Sequence, residues 1–168
     1  MLTARIKIGE GNGDPVDTQN YGLIYLSSDN IMGAPVKGFE ETSYPEQEGV
    51  NICTKTVDDA FDYKVTFFIQ ATSLASANDK IAAFNAMLYT QTQGSDIKDF
   101  KKVEFYNDYK RQKIVGYPQP MSEAKDFWRD MNNQVNDIVI VEWTIRVVKP
   151  SDCVFNVQPV VQTPSNSE

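Results

Sequence analysis

The sequence predicts a mainly β fold, an antiparallel split barrel or sandwich of about seven to eight strands with one helix packed on its side. Three observations carry that prediction. Phe61, Tyr63, Val65, Phe67, Ile69 and Ala71 alternate with Asp62, Lys64, Thr66 and Gln70, which is the two-residue period of a half-buried strand. Val139, Val141, Trp143, Ile145 and Val147 repeat the pattern against Ile140, Glu142, Thr144 and Arg146. Between these runs, Leu74, Ala77, Ile81, Phe84, Met87 and Leu88 fall at helical spacing.

Taken in order, Ala4, Ile6 and Ile8 alternate with Arg5 and Lys7 and predict a first strand, which Gly9-Glu10-Gly11-Asn12-Gly13-Asp14-Pro15 breaks. That loop matches part of a phosphate-cradling glycine pattern. Asp14-Pro15 follows, however, where an apolar helix would have to begin, so no dinucleotide site is predicted. Asn12, Asp14 and Asp17 are oxygen donors without the distal bidentate Glu of an EF-hand, and a flexible turn is the simpler reading. Tyr21 to Leu26, Val36 to Phe39 and Val50 to Thr54 read as three further strands. After the long strand, Ser76-Ala77-Asn78-Asp79 offers a side-chain oxygen to the free amides of a helix and a carboxylate to its positive end. Thr90 to Asp99 reads as a polar linker. Val103, Phe105 and Ile114 to Tyr117 form a hairpin around Asn107-Asp108-Tyr109, stopped by Pro118 and Pro120 because proline lacks the ladder donor. Ser122 to Met131 reads as a short helix, capped by Ser122, with Phe127, Trp128 and Met131 inward. Pro150 ends the last strand. Residues 1–155 are expected to form a single split-barrel domain, and the aperiodic run 156–168 a flexible tail.

Composition removes whole classes of function. At 168 residues the chain is long enough to bury roughly two thirds of its unfolded surface in one domain. No apolar run approaches the ~20 residues of a membrane span, and Met1-Leu2-Thr3-Ala4-Arg5 lacks the apolar core of a secretion signal. Folding in a cytosol, without a membrane partner, is expected. Cys53 and Cys153 show no metal-ligand spacing; they read as buried reduced thiols or as a bridge between the two. The chain has no histidine, which removes the usual general base, the usual partner of a Ser or Cys nucleophile and the commonest zinc ligand. No cofactor and no metal site are predicted. Asp58, Asp59 and Asp62, or Glu40 and Glu41, are candidates for two-carboxylate glycoside chemistry, but adjacent acids on a strand point to opposite faces. With 16 basic and 23 acidic residues the formal charge is -7 and the surface repels phosphate, so sequence-specific nucleic-acid binding is not expected. Lys110-Arg111-Gln112-Lys113 beside Tyr106 and Tyr109 reads as the solvated turn and outward face of a hairpin.

What remains is assembly. Ala75, Ala82, Ala83 and Ala86 occupy the back of the helix, where a solvated helix carries Lys and Glu, so this face is expected to be covered by a partner subunit or by the chain's own loops. Glu40 to Asp59 is long beside the median connection of about 4 to 6 residues, is rich in Glu, and holds the strand-like Val50-Asn51-Ile52-Cys53. A free strand edge invites pairing, and the segment reads as an arm reaching a neighbouring subunit. The candidate contact residues are Thr42, Tyr44, Glu46, Glu48, Val50 and Ile52 on the arm, Phe68 as the apolar exception on its strand's polar side, Ala82 and Ala86, and Trp128. The competing class is a carbohydrate-binding or other ligand-binding sandwich, since aromatics make up 11% of the chain. Trp128 would then be an exposed platform, whereas Phe67 and Trp143 read as core.

The order of these features resembles a known family. Apolar N-terminal strands lead to a polar stretch with Glu46-Gln47-Glu48-Gly49, then the strand Tyr63-Lys64-Val65-Thr66-Phe67-Phe68-Ile69 and the helix Asn78 to Tyr89. Lys102 to Tyr106, Tyr109 to Tyr117 and a long last strand ending at Pro150 complete the order. This is similar to the N-terminal domain of phage distal tail proteins, the hub subunits that join tail tube to baseplate, and the similarity covers roughly Met1 to Phe155. It implies a tail-tube-like split barrel, a homo-oligomer that is a hexameric ring around the channel through which DNA passes, other tail or baseplate proteins as partners, and no catalytic motif. It also implies a place in the virion tail, after assembly in the bacterial host cytoplasm. Many members continue into a second, often carbohydrate-binding, domain, where here only a short tail follows Pro150, and Gly9 to Asp14 matches no family feature. Hub, tail-tube subunit and tail-completion protein all fit.

The missing histidine and the lack of a convergent acid pair predict that purified protein shows no hydrolase, transferase or metal-dependent turnover. Turnover that survives repurification and vanishes when one named carboxylate is neutralised is the contrary result.

Overall fold

Uninterrupted alternation makes β6 (Phe61–Ala71) and β12 (Asp137–Val147) the longest strands, and they pair antiparallel along their whole lengths, from Asp137 opposite Ala71 to Val147 opposite Phe61. That register sets Trp143 opposite Val65 and Val141 opposite Phe67, so both apolar rows share one face. A computed structural model describes residues 2–43, 45–46, 48–49, 51–122, 124–129 and 137–157. The other strands among them are β1 (Ala4–Ile8), β2 (Val16–Asp17), β3 (Ile24–Ser28), β4 (Glu40–Thr42), β5 (Asn51–Cys53), β7 (Tyr89–Gln91), β8 (Lys98–Phe100), β9 (Val103–Asn107), β10 (Gln112–Pro118) and β11 (Ala124–Arg129). The helix is α1 (Leu74–Met87).

The main sheet is antiparallel, has eight strands, and runs β2-β1-β9-β10-β12-β6-β3, with β11 beside β12. It is a mainly β fold with one flanking helix, as expected, but the sheet is bent rather than closed into a barrel and matches the sandwich alternative. The bend lies in β10. Gln112 to Gly116 pair with β9, whereas Tyr117 and Pro118 pair with Arg146 and Ile145 of β12, so one strand serves two layers. Gly116 stands at the crossing. A Cβ there would overlap the Arg146 carbonyl oxygen and lie 2.9 Å from both the carbonyl carbon and Ile145 Cγ2, so glycine is required by close approach of backbones.

The layers enclose an aromatic core. Trp143 is fully buried, with Phe84 edge-on at 5.5 Å between ring centroids, Phe105 edge-on at 6.4 Å and Phe67 tilted at 6.2 Å. Phe84 comes from α1, where it is buried with Ala77, as is Leu88 at the cap just after the helix, while Ile81 and Met87 pack against the same core. Leu74, expected in that stripe, is exposed. The helix also starts earlier than Ser76. Ser73, in extended backbone, accepts a hydrogen bond from Ser76 N at 3.2 Å, so Ser73 is the cap and Asp79 lies beyond the first turn. Asn85 fastens the helix to the β10–β11 link: its Nδ2 donates to Met121 O at 2.8 Å and its Oδ1 accepts from Met121 N at 3.0 Å, as a strand neighbour would.

A buried polar cluster closes the other end. Asn107 Nδ2 donates to the hydroxyls of Tyr25 and Ser28, both at 3.1 Å, Tyr63 donates to Ser28 Oγ at 3.0 Å, and Gln112 Nε2 donates to Ile31 O at 2.7 Å. Lys110 Nζ adds bonds to the carbonyls of Ser28 and Asp29. The β9–β10 hairpin is thus latched to the end of β3, and burial pushes the Tyr63 hydroxyl pKa up. After β12, a 3-10 turn at Pro150–Asp152 returns the chain to β10, where Val154 and Lys113 exchange both backbone bonds at 2.8 Å.

Several expectations need correction. Tyr21 belongs to a 3-10 turn, Thr18–Tyr21, ended by Gly22 in the left-handed region (φ 77°), and the strand begins at Ile24. Thr90 to Asp99 is not a plain linker, because β7 and β8 pair with Tyr89 opposite Phe100. Ala124–Arg129 is a strand along the first half of β12 rather than part of a helix. Its apolar spacing fitted either period, and pairing with β12 decided the outcome. Cys53 is exposed and Cys153 half-buried; both are free, so the two are not bridged. Burial raises the Cys153 thiol pKa. Met131, assigned to that helix, and 158–168 of the expected tail lie outside the described residues. No helix among the described residues is long and apolar enough to cross a membrane.

Gly116→Ala is expected to lower stability by at least about 1 to 3 kcal/mol, because the methyl meets backbone that cannot yield. Gly33→Ala, surrounded by open space, is the control and stays within ~0.5 kcal/mol in urea unfolding. Equal midpoints for the two variants would show that the corner is loose.

Candidate assembly surface

Pro35 to Asp59 leaves the body and returns as a two-stranded ribbon. Its base is held by Asp59 N donating to Pro35 O at 2.7 Å and Lys37 N to Val57 O at 2.9 Å. Further out, Glu40 lies opposite Cys53, Glu41 opposite Ile52 and Thr42 opposite Asn51. Every residue from Pro35 to Asp58 whose burial is described is exposed, including Phe39 at 54% and Val57 at 63%. A lone ribbon of this kind is marginal in water, and a protein tolerates exposed apolar side chains on one chiefly when something else covers them. The expected strand Val36 to Phe39 reduces to a single bridge, Val36 to Asp58, and Val50 to Thr54 shortens to Asn51–Cys53. Among the described residues no face of the ribbon is buried, so no hydrophobic alternation marks its bounds.

The expected contact residues fall on separate surfaces. Thr42, Glu46, Glu48 and Ile52 are exposed on the arm, while Tyr44 and Val50 lie outside the described residues. Phe68 is half-buried on the outward face of the sheet, flanked in register by Ile24 and Ile140. With exposed Leu26 these make an apolar row, which gives way further along to the ion pairs Lys64–Glu142 and Arg146–Asp62. Ala82 and Ala86 are exposed with Ala75 and Ala83, so none of the described loops buries this face. Because α1 packs on the Trp143 side of the sheet, the alanine face and Phe68 lie on opposite sides of it. Trp128 stands opposite Ile138 in β11.

A further surface was not legible in advance. On the outward face of β1, β9 and β10, Lys7 and Lys113 both meet Glu104, at 3.9 and 3.3 Å, and Lys102 meets Asp152 at 3.3 Å. With Gly9, Glu10, Gly11 and Val115 they line an open cleft of about 370 Å³. Burial opposes the charge of Lys113, yet the hydrogen bond and charge of Glu104 outweigh it and hold the ammonium pKa above its ordinary value. These lysines are scattered along the chain, and the one available signal was that Lys7 alternates outward between Ile6 and Ile8. Within the run 110–113, only part is solvated, because Lys110 braces β3 and Gln112 is buried.

The early carboxylates form no chemical centre together. Asp17 Oδ1 accepts from Gln19 N at 2.9 Å and caps a turn, and Asp62 pairs with Arg146. Among the described residues no group of three His, Cys, Asp or Glu is placed to hold a metal ion. No protein-family model matches the chain, and no curated protein matches it significantly.

Ala82→Glu and Ala86→Glu are each expected to leave the stability of the isolated chain within ~0.5 kcal/mol, since both residues are exposed and Glu is a good helix former. A loss of several kcal/mol in thermal unfolding would show that the face is packed. A change in mass without a change in stability would mark it as a subunit contact.

Proposed function

We propose that this chain is a structural component of a phage or prophage tail, a subunit that assembles into a ring at the junction of tail tube and baseplate, around a channel through which DNA passes. The observation that carries this reading is the arm: from Pro35 to Asp58 it exposes Val36, Phe39, Ile52 and Val57 on a ribbon that the body does not bury. Such a ribbon fits a donated contact, and in a cyclic assembly each copy gives one arm and receives one. The order of elements, similar to that of distal tail proteins, supplies the setting. Charge is consistent with it. Six copies at -7 each carry a formal -42, and acidic walls keep transiting DNA from adhering. Other tail or baseplate proteins would meet the two faces of the ring, for which the Phe68 row and the alanine face are available surfaces. The reading assigns no catalytic residue and no cofactor.

Deleting Thr42 to Gly49 tests it. The intact chain is expected to give a ring mass over a concentration series, and the shortened chain a folded monomer with a near-native melting curve. A ring that persists without the arm makes the segment a surface loop. An intact chain that stays monomeric and retains glycan supports the ligand-binding class instead.

A further inference from the structure

We propose that Asn12-Gly13 is a self-modifying site, at which the folded chain converts Asn12 into a mixture of aspartyl and isoaspartyl residues without an enzyme. Nothing in this chemistry depends on the ring reading. Asn12 is the one asparagine of the chain that glycine follows. It lies in a bend between β1 and β2, where residues 10 to 14 are all exposed. Among the described residues neither the Asn12 side chain nor the Gly13 amide has a hydrogen-bond partner, and a Cβ built on Gly13 meets nothing within 4 Å. Other asparagines are guarded. Asn107 is buried, its Nδ2 bound to the hydroxyls of Tyr25 and Ser28, and the next amide, Asp108 N, donates to Thr3 O at 3.1 Å. Met121 holds both ends of the Asn85 amide, and Val157 N, after Asn156, donates to Arg111 O at 2.8 Å. Asn20 and Asn30 are exposed but precede Tyr21 and Ile31, whose side chains crowd the nitrogen that would react.

The Gly13 nitrogen gives up its proton and bonds to Asn12 Cγ, the bond from Cγ to the side-chain nitrogen breaks, and that nitrogen leaves as ammonia. A five-membered imide remains. Water then opens it at one of its two carbonyls: cleavage on the Cγ side leaves aspartate, and cleavage on the main-chain side leaves isoaspartate, with the backbone running through the side chain. Nothing is oxidised or reduced. Glycine favours the closure because its backbone turns freely and no side chain stands beside the attacking nitrogen. The fold accommodates both products, since the loop contributes no residue to the core and isoaspartate adds a single methylene to an exposed main chain. Each event adds one negative charge to a chain of net -7, between Glu10 and Asp14. Gly11 and Gly13 on either side line a cleft whose opposite wall includes Ala86 and Met87 of α1, so the charge arrives beside the alanine face.

Ageing the folded, full-length chain in mildly alkaline buffer tests the site. Peptide mass spectrometry is expected to place the loss of ammonia, and then the gain of water, on residue 12 ahead of Asn20, Asn30, Asn85 and Asn107, with two chromatographically separate products of equal mass. Gly13→Ala is expected to slow the change at least about tenfold, a barrier higher by about 1.4 kcal/mol. Its unfolding midpoint should stay at the wild-type value, because Gly13 lies outside the left-handed region and has open space around it. Asn12→Gln, whose imide needs a six-membered ring, is the second variant and is expected to keep its mass over the same period. If residue 12 stays asparagine in the folded chain but changes in the unfolded one, the loop holds the reacting atoms apart and the proposal is wrong. A rate unaltered by either substitution overturns it as well.

Discussion

The architecture depends on the distance of closest approach between two backbones. Where β10 leaves one layer and enters the other, it passes over the peptide of Arg146 with no room for a side chain, and Gly116 meets that demand. The geometry of the core follows from it. Because β10 bonds to β9 before the crossing and to β12 after it, Phe105 of one layer faces Trp143 of the other, with Phe67 and Phe84 closing around them. The helix rests on that cluster, and Asn85 gives the link after β10 the pair of bonds that an added strand would supply.

How far this was readable depended on whether a residue's environment is local. β6 and β12 were visible to within a residue or two because burial on one face forces alternation over eleven positions in each. The apolar stripe of α1 was visible for the same reason, although its cap was placed a turn late, since Ser73 and Ser76 are equally good oxygen donors in sequence. Of the short hairpins only β5 was anticipated, as Val50 to Thr54; β4, β7 and β8 left no such trace, because their residues are exposed or only half-buried. β11 was misread because its apolar spacing fitted either period, and only pairing with β12 made it a strand. Gly116 could not be picked out from a list of glycines, because its necessity comes from a strand that arrives thirty residues later. The same holds for the cleft, where Lys7, Lys102 and Lys113 meet only through the pairing of β1, β9 and β10.

Electrostatics divides the surface in a way composition alone concealed. A chain of net -7 places several of its cations on one outward face, and pairs them there with Glu104 and Asp152. Among the described residues, two of the deeply buried polar side chains, Asn107 and Gln112, serve the latch on β3, and a third, Thr18, lies in the 3-10 turn before it. Polar chemistry inside is structural; outside, it is left for encounters.

Among the described residues, the ribbon from Pro35 to Asp58 is joined to the body by little more than the bonds at its base, and it contributes none of them to the core. Its sequence is therefore shielded from the selection that folding imposes. Changes in length, charge or apolar content there leave the sandwich intact and are felt only by whatever the ribbon touches. Such a segment can drift in step with a changing neighbour while the scaffold behind it stays the same, so relatives of this chain should agree along β6 and β12 and diverge most between them and β3.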